Sequence, residues 1–461
     1  MRTGVVRVRD IIEEGHRLTG GFHVSEDERA VARLRRLTCS MATVRDLVGG
    51  RGIFRGPIFK GNFVDNPELG EPYVSARDIV NADVAPDTYL SRRHGRLLDE
   101  LRLCEGMILV TCSGMNLGKA IWSRPGFGTL VGSGDLIRIE PNAAAAPPGY
   151  LFAFLASRYG HAQIRKQIYG GHIKHVDPEH IASLSVPRFD WTFEQKIHDL
   201  VEKASSLRVE ATRLLRGVAA RFDGLVDALL KQQRESPRVG VVNASLLQRR
   251  MDAQFHDPFV RALRAQLVSG EHATIGTWCQ RIFLPGIFKR IHVDDLAYGA
   301  PYYTGSTLFS LDPEPKGVLS RKTTLFEQVR MEEGTVLVQA FGQKGGLTGR
   351  AVWVGRHLAG ATTTHMLVRL QAKTKEDTAY LFGFLQSQAA YRQIASLTYG
   401  GSIPHFDEDG IASVVIPLFS ASERRELARD VVTSVDCRDD ALDAERQACT
   451  LVEHAIEGGA K

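Results

Sequence analysis

The chain has 461 residues, 43% hydrophobic and 24% charged, which is the composition of a soluble globular protein with room for two to four domains. Its start, Met1 to Asp10, lacks an apolar signal core, and no run approaches about 18 apolar residues, so the expectation is a cytoplasmic protein, neither exported nor membrane-spanning. Cys39, Cys104, Cys112, Cys279, Cys437 and Cys449 form no CxxC pair and read as reduced, small hydrophobes.

In chain order, a short helix is expected over Val8 to His16, ending in Arg17-Leu18-Thr19-Gly20-Gly21-Phe22-His23. Short β-rich runs punctuated by glycine follow, Gly50 to Phe54, Pro72 to Ser75, Met107 to Cys112 and Gly134 to Ile139. Pro147-Pro148-Gly149 closes this region, and one helix is expected from Tyr150 to Gln167. A Tyr169-Gly170-Gly171 turn, a short helical segment from Asp177 and a strand from Ala182 to Val186 complete the unit.

A long helix is then expected from Thr192 to Lys231. Phe193, Ile197, Leu200, Ala204, Leu207, Ala211, Leu214, Val218, Phe222, Leu225 and Leu229 advance by three and four, with a stutter before Phe222, and Thr192 with Gln195 has capping-box spacing. Forty residues of helix span about 60 Å. A seam this thin needs a partner. The segment from Ser422 to Ile456, with Leu427, Val431, Val435, Leu442, Cys449 and Val452, is the economical one, paired antiparallel.

Much of this order occurs twice. Tyr150–Phe189 and Tyr380–Phe419 are identical at 19 of 40 positions with a constant offset of 230 and no gap. Weaker echoes lie upstream: Ile53-Phe54-Arg55-Gly56-Pro57-Ile58-Phe59-Lys60 matches Ile282-Phe283-Leu284-Pro285-Gly286-Ile287-Phe288-Lys289, and Glu105 to Val110 matches Glu333 to Val338. A period this long is a duplicated domain. Each copy reads as α+β, a small twisted sheet or barrel with helices at one end. Charge follows the repeat. Residues 1–190 carry 25 Lys and Arg against 21 Asp and Glu, and residues 237–419 carry 19 against 15, while residues 420–461 carry 6 against 10. Units that face phosphate and tails that face protein have this distribution.

Three segments per copy are candidate DNA contacts. In the first, Tyr169, Gly170, Gly171 and His172 answer to Tyr399, Gly400, Gly401 and Ser402, with Lys174 in one copy and His405 in the other as further candidates; paired glycines permit positive φ and close backbone approach to phosphate. A helix-ending turn kept for packing explains the same residues. The second is the glycine-rich loop after the central strand, with Ser113, Asn116 and Lys119 in one copy and Gln343, Lys344 and Arg350 in the other. Asn and Gln suit adenine edges, and Lys or Arg suit guanine; an ordinary solvated hairpin is the plainer alternative. Ser75 and Arg77, with counterparts Thr304 and Ser306, form the third. Arg51, Arg55, Lys60, Lys289, Arg290, Arg321 and Lys322 are phosphate candidates.

Chemistry of its own finds little footing in the residues. Of His172, His175 and His180, only one has a histidine counterpart, so no metal site is expected. Asp190, Glu194 and Lys196 superficially suit a nuclease core, but the second copy has Arg424 and Glu426 at the last two places. No Asn-Pro-Pro-aromatic or Asp-Pro-Pro-aromatic methyltransferase motif and no GxxxxGK[ST] phosphate loop is present.

A duplicated unit closing with YGG-x-I-x-H, then I-A-S-x-x-x-P, then a long helix, together with Arg250-Met251-Asp252-Ala253-Gln254-Phe255-His256, resembles the specificity subunit of type I restriction–modification systems. The resemblance implies two target-recognition domains, residues 1–190 and 237–419, and two spacer helices, residues 191–236 and 420–461. It implies a non-catalytic chain that reads a gapped, bipartite double-stranded DNA target and docks two adenine methyltransferase subunits and the restriction/translocase subunits. No cofactor is then expected in this chain; S-adenosylmethionine, ATP and Mg²⁺ belong to the partners. Copy one departs from the family's opening motif, reading RLTGGFH. A stand-alone DNA binder, the recognition subunit of a related defence system and an atypical nuclease are the alternatives.

Overall fold

The computed structural model describes residues 6, 8–13, 23, 25–84, 86, 88–114, 116–170, 174–232, 239–248, 250–343 and 345–458. The RLTGGFH motif, apart from His23, thus lies outside the described residues, as do Gly171, His172 and Lys344. Two compact units account for the chain, Met1–Val209 with Asp440–Lys461, and Glu210–Asp439. The division falls inside both long helices.

In the first unit the strands are β1 (Met41–Thr43), β2 (Val48–Arg55), β3 (Phe63–Val64), β4 (Gly70–Val74), β5 (Tyr89–Ser91), β6 (Ile108–Thr111), β7 (Ala120–Trp122), β8 (Val131–Gly132), β9 (Leu136–Pro141) and β10 (Ser185–Pro187). They form neither one sheet nor a barrel. An antiparallel sheet runs β2-β9-β6-β7, a smaller one runs β3-β5-β4-β8, and β1 pairs with β10. The central strand β6 is buried at all four positions because helices cover the face its neighbours leave open. The expected strand at Ala182 is shorter, since Pro178–Ala182 is helical and pairing begins only at Ser185.

The second unit repeats this with β11 (His272–Thr274), β12 (Cys279–Phe283), β13 (His292–Val293), β14 (Gly299–Tyr303), β15 (Val318–Ser320), β16 (Val336–Gln339), β17 (Ala351–Trp353), β18 (Thr362–Thr363), β19 (Leu367–Ala372) and β20 (Val415–Pro417). Its sheets run β12-β19-β16-β17 and β13-β15-β14-β18, with β11 on β20. Even the parallel pair recurs, β4 on β8 and β14 on β18. Strand order survives where sequence identity is faint.

The single helix expected from Tyr150 is two, Pro148–Ala156 and Arg158–Gln167, with counterparts Lys375–Leu385 and Gln388–Leu397. Ser157 is extended and caps the second helix, its hydroxyl accepting from Gly160 N at 3.3 Å; Ser387 does the same for Ala390 N at 3.1 Å. Serine at that place breaks a helix because its side chain replaces the missing carbonyl partner. The buried phenols also match. Tyr150 Oη donates to the Pro187 carbonyl, and Tyr380 Oη donates to the Pro417 carbonyl at 2.7 Å, each satisfying a hydroxyl that burial would otherwise strand.

The central helix spans Trp191–Gly224 and the C-terminal helix Ala421–Ile456. The first is shorter than expected, with a separate turn of helix at Asp227–Gln232. Its cap is Asp190, whose carboxylate accepts from Thr192 N at 2.9 Å, not Thr192 with Gln195. Ile197, Val201, Ala204, Arg208, Ala211, Leu215, Val218 and Phe222 are buried in a four-three alternation, with Ser205 buried beside it. The stutter disappears because Val201, Arg208 and Leu215 take the buried positions, with Leu200 and Leu207 half-buried against the same seam.

Within the first unit the two helices run antiparallel. Arg208 pairs with Glu445 and Ala204 packs on Ala441 and Ala444, while Ile197 and Val201 share a core with Ala448 and Val452. The second unit pairs them antiparallel as well, with Ser434 Oγ donating to the Ala211 carbonyl at 2.8 Å and Arg221 on Glu423 at 2.7 Å. The roles exchange by the same offset. Ile197 and Val201 in one core answer to Leu427 and Val431 in the other, and Ala448 and Val452 answer to Val218 and Phe222.

Candidate nucleic-acid interface

In each unit the central strand delivers its glycine-rich loop beside the YGG turn. The first loop is closed at its root, Thr111 N to the Lys119 carbonyl at 3.1 Å and Gly118 N to the Thr111 carbonyl at 2.8 Å. The second is closed by Gln339 N to Arg350 at 3.0 Å and Gly349 N to Gln339 at 2.8 Å. Gly118 at φ 86° and Gly349 at φ 82° sit where a side chain is strained.

The YGG turn is itself a small hairpin. Tyr169 and His175 exchange backbone hydrogen bonds at 3.1 and 2.9 Å, and Tyr399 and His405 do so at 2.8 and 2.8 Å. Gly170 and Gly400 share a φ of 97°. Tyr169 Oη bonds Asp177 and Tyr399 Oη bonds Asp407 at 3.0 Å; the aspartate bond raises the Tyr169 phenol pKa, and burial followed by the aspartate bond raises that of Tyr399. The turn then docks on the loop: His175 bridges Ser113 and His405 bridges Phe341. In the second unit Gly342 N donates to the Pro404 carbonyl at 3.1 Å and Gln343 Nε2 to the Ser402 carbonyl at 2.8 Å. Two segments that the sequence separates by about 60 residues are one surface.

The individual residues divide by task. Tyr169, Gly170, Lys174, Tyr399, Gly400, Gly401 and Ser402 are exposed, as is Gln343. His405 is half-buried, stacked on Phe341 at 4.9 Å and packed on Tyr399 at 4.4 Å. Its ring braces the turn. Arg350 lies over the Tyr391 ring at 4.5 Å, and Ser113, Asn116 and Lys119 are half-buried. Ser75 Oγ donates to Asp78 at 2.7 Å and Thr304 Oγ1 bonds Ser306 Oγ at 3.1 Å, so these hydroxyls close the turns after β4 and β14. Arg77 and Ser306 project outward. The Thr304 turn reaches the same end, since a Cβ on Gly305 would stand 2.3 Å from Gln339 Oε1.

The RMDAQFH segment braces this surface from behind. Arg250 donates to the Leu397 and Thr398 carbonyls at 2.6 and 3.0 Å, the free end of the helix that leads into the turn, and is held by Asp252 at 2.7 Å. Arg55 is committed internally, to the Gly134 carbonyl at 2.7 Å and Asp135 at 3.1 Å. The Asp190–Glu194 pair is spent on the helix start: Glu194 is buried, bidentate with Arg188 at 2.9 and 2.8 Å. A nuclease carboxylate needs an accessible oxygen, and this one has none.

Sequence reading passed over two buried arginines, Arg138 on β9 and Arg369 on β19, 0% and 2% exposed. Each lies in an L-x-R-x strand that periodicity assigns to a core. Arg138 donates to the carbonyls of Leu136, Leu101 and Gly132 at 3.0, 3.1 and 2.9 Å, tying the larger sheet to the smaller. Arg369 reaches the Leu367 carbonyl at 2.6 Å and the Thr364 carbonyl at 3.5 Å. Burial pulls their pKa down to about 10 and about 9, so both stay charged at neutral pH. A matched arginine on matched strands was the available signal. Burial pushes the Cys112 and Cys279 thiols up to about 11 and about 12, which keeps them protonated and unreactive. Among the described residues no cluster of His, Cys, Asp and Glu suits a metal ion, and no helix is long and apolar enough to cross a membrane.

Comparison with known proteins places the chain beside three solved structures. The S subunit of a type I restriction–modification system from M. genitalium is 12% identical, with a TM-score of 0.30, over 92% of this chain and 95% of that one. The HsdS subunit from Thermoanaerobacter tengcongensis is 14% identical, with a TM-score of 0.28, over 91% and 96%. A structure describing complex assembly and conformational transition of the type I R-M system gives 14% and 0.28, over 90% and 97%. No family model and no curated protein matches.

Proposed function

We propose that the chain is a non-catalytic DNA-specificity subunit in which each unit reads one half of a gapped target. The carrying observation is the pairing of an invariant frame with a variable loop in both units. Tyr, Gly-Gly and His recur at equal places, Gly170 and Gly400 with the same φ, while the adjoining loop changes from Ser113-to-Lys119 with Asn116 to the longer Phe341-to-Arg350 with Gln343 and Lys344. A reader of two different half-sites needs that division: backbone and phosphate contacts fix position, and loop side chains choose bases in the major groove. The exposed tyrosines and turn amides suit the first task, and the loop amides and cations suit the second.

The long helices are then the spacer and docking element for two adenine methyltransferase subunits. Those would supply the S-adenosylmethionine chemistry and extrude the target adenine, and ATP- and Mg²⁺-dependent restriction/translocase subunits would join the same core. The test is a pull-down of tagged protein from its native cell, with copurifying chains assayed for methyl transfer and the modified sites sequenced. A methyltransferase whose sites form a two-part sequence supports the reading. A chain that comes down alone and still binds DNA moves the function to a stand-alone binder, and Mg²⁺-dependent cleavage by the chain alone would move it to a nuclease.

A further inference from the structure

Ile58 and Ile287 occupy equal places in the loops that follow β2 and β12, and they are 90% and 86% exposed. One exposed isoleucine needs no explanation. An identical pair does, because the residues just before have drifted, Arg55-Gly56-Pro57 against Leu284-Pro285-Gly286. Packing accounts for the retained neighbours: Phe59 joins the core of Leu90, Leu98, Leu101 and Val131, and Phe288 joins that of Ala300, Tyr302, Leu319, Phe326 and Val329. It does not account for isoleucines that touch almost nothing.

Their position does. In the first unit Gly134 packs on the Gly56 and Pro57 carbonyls, and the next residue, Asp135, accepts from Cys112 N at 3.1 Å, at the root of the Ser113–Lys119 loop. In the second unit a chain of rings leads from the residue beside Ile287 to the YGG turn: Phe288 to His365 at 6.1 Å, His365 to Phe341 at 6.2 Å, Phe341 to His405 at 4.9 Å and His405 to Tyr399 at 4.4 Å. Each isoleucine therefore stands at the candidate interface, on a loop anchored by the phenylalanine after it and followed by an exposed lysine, Lys60 or Lys289. A β-branched side chain is stiff and loses little freedom on binding.

We propose that Ile58 and Ile287 are apolar fingertips, each reading a thymine C5-methyl group in its own half-site, with Lys60 and Lys289 on the adjacent phosphates. In the major groove that methyl is the one apolar feature of the base edges, and burying it against an isoleucine favours thymine without a hydrogen bond. This inference rests on the DNA-reading function above. Its test is selection from a randomised double-stranded DNA pool by the full chain with whatever subunits copurify, comparing the unaltered protein with Ile58→Ser, Ile287→Ser and Ile58→Val.

The expected result is a two-part consensus in which Ile58→Ser loses, by about tenfold, the thymine preference at one position of one half, and Ile287→Ser does so in the other half. Ile58→Val keeps the preference. Replacing that thymine by deoxyuridine weakens the unaltered protein by the same factor and leaves Ile58→Ser unaffected. Unchanged preferences in both serine variants overturn the inference, as does equal weakening at every position or loss of a copurifying subunit with the consensus intact. Absence of any consensus from the unaltered protein refutes the DNA-reading function itself. Melting curves of the serine variants should superimpose on the parent, since the side chains are nearly free of contacts.

Discussion

The YGG turn and the glycine-rich loop touch each other in both units, yet they have drifted to different degrees. The turn keeps Tyr, Gly-Gly, Ile and His, the 97° φ of Gly170 and Gly400, and the tyrosine-to-aspartate bond. The loop keeps only its root, where Gly118 and Gly349 reverse the chain. Between those roots one copy presents Asn116 and the other Gln343. Frames drift slowly because every residue in them has two tasks, a backbone conformation and a packing contact. Side chains on the loop carry fewer such demands, Gln343 being held by one hydrogen bond to the Ser402 carbonyl, and on the proposed reading that freedom is what would let one fold carry two specificities.

The buried arginines offer the largest way to break this comparison. Arg138 donates to three carbonyls at normal distance and Arg369 to one, with a second at 3.5 Å. Arg138→Met should cost about 3 kcal/mol in denaturant unfolding and Arg369→Met about half as much. Equal losses would show that burial of the methylene stem, not the carbonyl clamp, dominates. Next come the turns. Gly170→Ala and Gly400→Ala force a side chain to positive φ, at about 1–2 kcal/mol, and the proposal expects each to weaken DNA binding uniformly across sequences, read as a drop in affinity without a change in consensus.

Tyr150→Phe and Tyr380→Phe should each lose about 1 kcal/mol, as the Pro187 and Pro417 carbonyls go unpaired; a larger loss in one unit would rank the two cores. The smallest effect concerns His365, whose pKa is lowered by burial and by Arg290 and Arg369. A histidine depressed in the folded state contributes stability above its unfolded pKa, near 6.5, that is lost as pH falls toward the folded value. The second unit should therefore melt earlier as pH falls from 7 to 5. His365→Gln should flatten that slope, which differential scanning calorimetry would read.

Duplication made most of the architecture legible. The expected strand runs at Gly50 to Phe54, Pro72 to Ser75, Met107 to Cys112 and Gly134 to Ile139 each overlap an observed strand to within two residues at their ends, because alternation and glycine punctuation are local signals. What escaped was non-local or hidden in chemistry. The seam of the central helix runs through Val201, Arg208 and Leu215, and the C-terminal helix presents Ser434, Ala441 and Ala448; hydrophobicity ranks Leu200 and Leu207 above these, though the close approach of two helices favours small residues. The break at Ser157 looked like helix interior, since serine there is a cap only once the chain turns. Of the site, the YGG turn and the loop were each visible, whereas their contact through Ser113 with His175 and Gln343 with Ser402 was not. Long-range backbone pairing leaves no periodicity to read. Arg138 and Arg369 were missed because a charged residue in a strand pattern ordinarily marks the solvent face.

The central claim is that each unit reads its own half-site, and sequencing of modified DNA tests it most directly. Cells carrying Gln343→Ala with Lys344→Ala should modify a target in which one half is relaxed at one or two positions while the other half and the gap are unchanged. A target altered in both halves, or altered only in gap length, would contradict the account.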